Sequence, residues 1–176
     1  VLRRLSQEAS LKYEHPNLVK IIDFIFDPVK NIYHLVSEFV EGKTLDMILN
    51  EAKQKGERLS FSFVKKIITD IASALQFLHS QEPIIIHRDI KPSNIMITND
   101  GKTKLMDLGI AKIFDTTGQN QDITKVGTIL GTYHYIPPEQ IKPAQYGMVN
   151  PQSDIYSLGV TMYEALSNKL PFTGFN

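Results

Sequence analysis

The chain has 176 residues, 19 Lys and Arg against 19 Asp and Glu, 42% hydrophobic residues and no cysteine, which bounds it to one compact domain or part of a larger one. A formal net charge of zero removes the electrostatic footprint of generic binding to nucleic acid or an anionic membrane. Without cysteine there is no disulfide framework, Cys-ligated zinc or thiol nucleophile, in keeping with a reducing, cytoplasmic setting.

Position 1 falls inside what reads as an amphipathic helix, so the sequence reads as a piece of a larger domain. Residues 3–14 carry Leu5, Ala9, Leu11 and Tyr13 among charges, a short helical pattern that His15-Pro16-Asn17 ends. Leu18 to Phe26 and Ile32 to Val40 are rich in Val, Ile, Phe and Tyr around the polar stretch Asp27-Pro28-Val29-Lys30-Asn31, which predicts two strands paired as a hairpin. Glu41-Gly42-Lys43 reads as a break that takes the chain out of the sheet. Thr44 can cap a helix whose Leu45, Ile48 and Leu49 share a face and which Gly56 ends.

The clearest periodicity lies in residues 60–80, where Val64, Ile67, Ile68, Ile71, Ala72, Leu75 and Leu78 form one apolar stripe behind Ser60 or Ser62 as N-cap. Short strands are predicted at Ile84–Ile86, Ile95–Thr98 and Thr103–Met106, followed by a polar stretch from Asp115 to Lys125 that reads as a mobile loop. Ser153 can cap a last helix in which Ile155, Leu158, Val160, Met162, Tyr163, Ala165 and Leu166 are apolar nearly all round, the pattern of a buried helix. No segment approaches the roughly 18 uninterrupted apolar residues of a membrane span. No membrane insertion is expected in this segment, while an anchor elsewhere in a longer protein stays open.

The chemistry gathers around the Asp100-Gly101 dipeptide, which suits a two-residue hairpin turn between strand-like runs. Pairing Asn99 with Lys102 brings Asn94 opposite Asp107, with Cα atoms about 5 Å apart. An amide oxygen and a carboxylate so placed can share Mg²⁺, which characteristically takes one or two carboxylates and completes its shell with water and phosphate. Hairpin ends also carry Asn and Asp merely as turn or cap residues, and the residues alone leave both readings open.

Just upstream stands His87-Arg88-Asp89-Ile90-Lys91-Pro92-Ser93-Asn94, the pattern H-R-D-x-x-x-x-N. With Asp107-Leu108-Gly109 at the D-F-G position, Pro137-Pro138-Glu139 at the A-P-E position and Ser153-Asp154-Ile155-Tyr156-Ser157-Leu158-Gly159 downstream, the sequence resembles the protein kinase family. It is most similar to bacterial serine/threonine kinases. The resemblance implies an α+β, protein-kinase-like fold that is partial here. Residues 1–40 would be the end of the N-terminal lobe, with a helix and two strands, and 41–176 most of the helical C-terminal lobe. Within the latter fall a catalytic loop at 87–94, an activation segment at 107–139 and the buried helix at 153–167. The Gly-rich loop and ATP-contacting Lys of the family would precede this chain, so the covered residues alone are expected to be inactive.

By resemblance, Asp89 accepts the substrate hydroxyl proton, Lys91 reaches the γ-phosphate, Asn94 and Asp107 hold Mg²⁺, and Thr132 hydrogen-bonds Asp89 and Lys91. Backbone groups at Glu38 and Val40 would bind the adenine of ATP, with Ser37 as a small gatekeeper. His87, Asp154 and Glu139 would be structural. Glu8 is the candidate ion-pair partner of the family's ATP-contacting Lys, although it lies seven residues before His15 against about nine in the family. Arg88 implies a phosphate partner in the activation segment, where Thr124 and Thr128 match the favoured positions. The implied partners are ATP and a protein substrate with Ser or Thr hydroxyls, with no nucleic acid; dimerisation stays open and unsupported. A pseudokinase or scaffold is the alternative, and its sequence mark, loss of Asp89, Asn94 or Asp107, is not present. Phosphotransferases acting on small molecules share the Asp-to-Asn spacing but not the Lys91 position or a Pro-Pro-Glu segment.

Overall fold

The computed structural model describes residues 14–30, 32–107 and 133–172. The predicted helix over 3–14 and the loop from Asp115 to Lys125 lie outside these residues.

β-Branched and aromatic residues build the first hairpin, β1 (Ile21–Asp27) against β2 (Ile32–Ser37), antiparallel with a register shift between Ile21 and Asp23. Its turn is held by Asp27, whose Oδ1 accepts from the backbone N–H groups of Val29 and Lys30, the local bond that suits Asp to turns. Both strands are shorter than the apolar runs predict. Residues 17–19 pair instead with Leu105: the Leu105 N–H donates to Asn17 O at 2.8 Å and the Val19 N–H to Leu105 O at 2.9 Å.

The chain leaves the first sheet after Ser37, as the break at 41–43 predicts, but Gly42 then starts another strand. Residues Gly42–Thr44 form β3, the edge of a second, three-stranded sheet with β4 (Ile95–Thr98) and β5 (Thr103–Leu105). Gly42 faces Thr98 across the ladder, and a Cβ there would stand 2.1 Å from the Ile97 carbonyl oxygen. The glycine that reads as a breaker is what lets the strands meet. The predicted strand at 84–86 is not formed: the Ile85 N–H bonds to Leu78 O at the end of a helix, Ile85 is buried and Ile84 is 58% exposed.

The hairpin from β4 to β5 corrects the predicted pairing by one residue. Ile95 faces Leu105, Met96 faces Lys104 and Ile97 faces Thr103. The turn holds three residues, Asn99-Asp100-Gly101, with Gly101 at φ +79° and Thr98 bonding across it, from its N–H to Lys102 O and from the Lys102 N–H to its Oγ1. The Thr98 hydroxyl and a left-handed glycine favour this longer turn over the two-residue one. Asn94 therefore faces Met106, whose N–H donates to Asn94 O at 2.8 Å, and Asp107 lies one residue further on.

Helix α1 (Leu45–Gln54) starts at Thr44, whose hydroxyl accepts from the Met47 N–H, and buries Leu45, Leu49 and Ala52. Helix α2 (Phe61–His79) starts at Ser60 and buries Val64, Ile67, Ile71, Ala74, Leu75 and Leu78; Ala72 of the predicted stripe is exposed. These side chains form the core with Leu18, Ile90, Ile95 and Leu105, so that α2 is the surface on which β5 and the loop after it rest. Two short helices, α3 (Pro138–Ile141) and α4 (Pro143–Tyr146), lead to α5 (Pro151–Ser167).

Asn150, rather than Ser153, caps α5. Its Oδ1 accepts from the Gln152 N–H while Ser153 Oγ accepts from the Asn150 N–H, a reciprocal capping box with Pro151 in the first turn. Nor is the helix apolar-buried all round. Its buried side carries Ser153, Asp154, Ser157 and Thr161 beside Leu158, Val160 and Ala165, while Ile155, Met162 and Tyr163 are exposed among the described residues. Small hydroxyl residues let neighbouring backbone approach and bond them: Ser157 Oγ donates to Tyr135 O at 2.7 Å. Among the described residues no helix is long and apolar enough to cross a membrane.

The crowding at β3 predicts that Gly42→Ala lowers the unfolding free energy of the protein by about 1–3 kcal/mol, the usual cost of overpacking. A denaturant melt with an unchanged midpoint would contradict this account of the sheet edge.

Candidate active site

A carboxylate with 1% exposure organises the loop that follows α2. Asp154, near the start of α5, accepts from the Arg88 N–H through Oδ1 at 2.8 Å and from the His87 N–H through Oδ2 at 2.9 Å. His79 Nε2 lies 2.8 Å from the same Oδ2. Two backbone donors converging on one carboxylate fix the peptide planes on either side of His87. Arg88 takes φ +65°, a left-handed conformation that costs a β-carbon residue roughly 1–3 kcal/mol and persists only where surrounding bonds over-determine it.

The residue after this bend is Asp89. Asn94 Nδ2 donates to Asp89 O at 2.8 Å and to Asp89 Oδ2 at 2.9 Å, and Lys91 Nζ lies 2.9 Å from that same oxygen. Asp89, Lys91 and Asn94 therefore form one connected group, partly open to solvent at Asp89 and Lys91 and closed at Asn94. Its geometry follows from Pro92 starting a single 3-10 turn, Pro92–Asn94, which folds Asn94 back towards Asp89. With its amide nitrogen engaged by Asp89, the amide oxygen is the Asn94 atom that could meet a cation.

Asp107 reaches the same region from the other side. His87 is fully buried and its Nε2 lies 2.9 Å from Met106 O; a carbonyl only accepts, so the ring carries its proton on Nε2. Met106 is thus held at both ends, by His87 through its carbonyl and by Asn94 through its N–H. Asp107 follows with an exposed side chain and φ +53°. The same hairpin thus carries Asn94 and Asp107, one place out of the expected register. Among the described residues there is no group of three or more His, Cys, Asp or Glu able to hold a metal ion; a Mg²⁺ site built on one amide, one carboxylate and ligand phosphates does not need one.

A cavity of about 210 Å³ runs from residues 37–40 to Asp107. Val19, Ile21, Leu35, Met96 and Met106 line it together with Ser37, Glu38, Phe39 and Val40. A largely apolar lining with the backbone of residues 37–40 and one carboxylate, Asp107, suits a flat heteroaromatic ring bearing an anionic, metal-bound tail. The Glu38 N–H is engaged by Lys20 O at 2.9 Å, so of the two Glu38 backbone groups only the carbonyl could meet a ligand.

Glu38 also ties this edge to β5. Its Oε1 accepts from Lys104 Nζ at 2.5 Å and from the Lys20 N–H at 2.9 Å. Burial pushes the Glu38 carboxyl up, but the bonds from Lys104 and Lys20 outweigh it and leave the group below its ordinary value. Further along, Ser153 Oγ donates to Glu139 Oε1 at 2.5 Å, joining residues 137–139 to α5. Tyr135 donates to Glu164 at 2.5 Å, and burial together with that bond raises its phenol well above the usual range.

Glu8, Thr124, Thr128, Thr132 and the Leu108-Gly109 pair lie outside the described residues. Sequence reasoning missed Met96, Met106, Lys104 and His79. Period-two alternation in β4 and β5 could have found the methionines; no local signal joins Lys104 to Glu38 or His79 to Asp154.

The protein kinase domain family matches residues 3–176. The chain is 37% identical over 172 residues to the serine/threonine-protein kinase PrkC of Bacillus subtilis, covering 98% of this chain and 24% of that protein. It is 35% identical to the probable serine/threonine-protein kinase PknB of Lactococcus lactis, covering 98% and 26%, and 33% identical to the serine/threonine-protein kinase Nek2 of Mus musculus, covering 93% and 36%. The chain spans about a quarter of the length of these bacterial relatives.

The tie between Glu38 and Lys104 predicts a titration. A carboxyl held below its ordinary value contributes stability that is complete above that value and is lost as pH falls through the folded one. In Lys104→Met, carbon NMR should show the Glu38 carboxyl titrating at higher pH than in the parent protein; an unchanged midpoint would contradict the tie.

Proposed function

The chain belongs to the protein kinase family, and from that premise we propose that the whole protein is a serine/threonine protein kinase that transfers the γ-phosphoryl group of ATP to protein hydroxyls. The observation that carries this reading is the connected group of Asp89, Lys91 and Asn94, hung on the Asp154 carboxylate and bonded through Asn94 O to Met106, which with Asp107 lines the apolar cavity. Retention of Asp89, Asn94 and Asp107 weighs against a non-catalytic scaffold. Cytoplasmic action belongs to the same proposal.

In the proposed reaction the substrate Ser or Thr oxygen forms the new P–O bond, the bond between the γ-phosphorus and the bridging oxygen breaks, and ADP leaves. Asp89 orients the attacking hydroxyl and takes its proton. Lys91, fixed 2.9 Å from Asp89, puts a point charge beside the transferred group, where its charge is neutralised in the transition state. The Asn94 amide oxygen and the Asp107 carboxylate would hold Mg²⁺, which when bound supplies Lewis-acid neutralisation of the phosphates. The adenine would lie between Val19 and Met96, against the Glu38 carbonyl and the Val40 backbone. Positioning of this kind, rather than covalent chemistry, is what phosphoryl transfer requires.

In the whole protein, Asp89→Asn should keep Mg²⁺-dependent ATP binding while losing transfer to a Ser/Thr-containing protein by roughly 10²-fold or more. Asp107→Ala should lose the metal dependence of nucleotide binding itself. Undiminished transfer by Asp89→Asn, or ATP binding without any transfer by the parent protein, would overturn the reading.

A further inference from the structure

We infer that Gln140 is a positioning residue of the proposed transfer reaction, holding the peptide that carries Asp89; the inference rests on the kinase reading above. Gln140 lies in the short helix α3. Its side-chain Nε2 donates to Arg88 O at 3.2 Å, across 52 residues of sequence.

The bonds to Asp154 stop one peptide short of Asp89. Asp154 accepts from the His87 and Arg88 N–H groups, which fixes the peptides on either side of His87, both ahead of the Arg88 Cα. The Asn94 amide meets Asp89 O, which fixes the peptide after Asp89. Between them lies the Arg88–Asp89 peptide, whose plane is set by rotation about ψ of Arg88, a residue at φ +65°. The Gln140 amide bonds the carbonyl of that peptide and so sets the direction in which the chain leaves the bend. Turning the plane would move the Asp89 carboxylate relative to Lys91 and Asn94, and a misplacement of about 1 Å in a positioned site costs on the order of 10²-fold.

Two further observations bear on why an amide stands there. Gln140 Oε1 is buried with no hydrogen-bond partner among the described residues, and an unmet buried acceptor costs stability that an apolar side chain of the same length would not. Packing alone therefore does not account for the amide; its donor does. In addition, α3 is itself tied down, because Ser153 Oγ donates to Glu139 Oε1 at 2.5 Å and the Gln140 N–H to Pro137 O at 3.0 Å. Gln140 thus brings to Arg88 O a donor anchored on α5, the helix that also supplies Asp154. The peptides before and after the Arg88 Cα are both referenced to α5, one through Asp154 and the other through Gln140, and a left-handed residue persists only where such bonds over-determine it.

The test compares Gln140→Met, equal in length and without the donor, with Gln140→Glu, equal in shape and with an acceptor where the donor stood. In the whole protein both should lower kcat by about tenfold or more with KM for ATP within about twofold. The thermal midpoint of Gln140→Met should stay within about 3 °C of the parent value, because the unmet Oε1 is removed as Arg88 O loses its donor. A packing role would lower kcat and the midpoint together. Parent-like kcat in either variant, or a kcat loss in Gln140→Met matched by a larger fall in midpoint, would overturn the inference. If Gln140→Met does not fold, Gln140→Glu decides: low kcat with unchanged KM for ATP supports the inference, and parent-like kcat or a raised KM overturns it. A parent protein that transfers no phosphate would sink the kinase reading instead. The hold on the peptide is then read from the Asp89 amide nitrogen resonance, which supports it if Gln140→Glu shifts that resonance and overturns it if the resonance stays.

Discussion

The structure depends on burying one negative charge. Asp154 has 1% exposure, and an isolated ionised carboxylate in such a place would be prohibitive. It is tolerated because two backbone N–H groups and one imidazole point at it from α2 and from the loop after it. The requirement runs in both directions. The donors keep the carboxylate inside, and the carboxylate keeps Arg88 in a left-handed conformation that no local preference supports. The bend at Arg88 then presents Asp89 to the 3-10 turn, where Asn94 and Lys91 close on it.

The rest of the molecule supplies a frame for that arrangement. Helix α2 provides the apolar face on which Leu18, Ile90, Ile95 and Leu105 pack. Strand β5 is the meeting place: it pairs with β4, donates to Asn17 O and accepts from the Val19 N–H through Leu105, and sends Lys104 to Glu38 at the edge of the cavity. A charge pair that is only partly exposed is screened less than one on the open surface. That pair joins the cavity edge to the strand that leads to Asp107, so the apolar cavity and the proposed metal carboxylate share one support.

Much of this was legible in the sequence, for reasons that can be named. Helices α1 and α2 announce themselves because Thr44 and Ser60 are caps and the apolar stripe of α2 has the helical period. The site residues were legible as a contiguous motif around Asp89, and its compactness follows from a single turn at Pro92. Other features turned on one atom each. The hairpin register slips by a residue because the Thr98 hydroxyl and Gly101 favour a three-residue turn. Strand β3 is three residues long and hangs on the missing Cβ of Gly42. The N-cap of α5 moves to Asn150 because Ser153 works in the capping box from within the helix. The ties that organise the site were illegible because they are long-range, 66 residues from Glu38 to Lys104 and 75 from His79 to Asp154, and no periodicity connects such positions.

The central claim is that Asp154 serves the reaction by holding Asp89 rather than by any chemistry of its own. A double-mutant cycle on the transfer rate of the whole protein tests it most directly, with Asp89→Asn, Asp154→Asn and the pair compared under single-turnover conditions. If Asp154 acts through Asp89, the pair should transfer phosphate no more slowly than Asp89→Asn alone, as residues acting as a unit do. Rate losses that multiply in the double mutant would contradict the account.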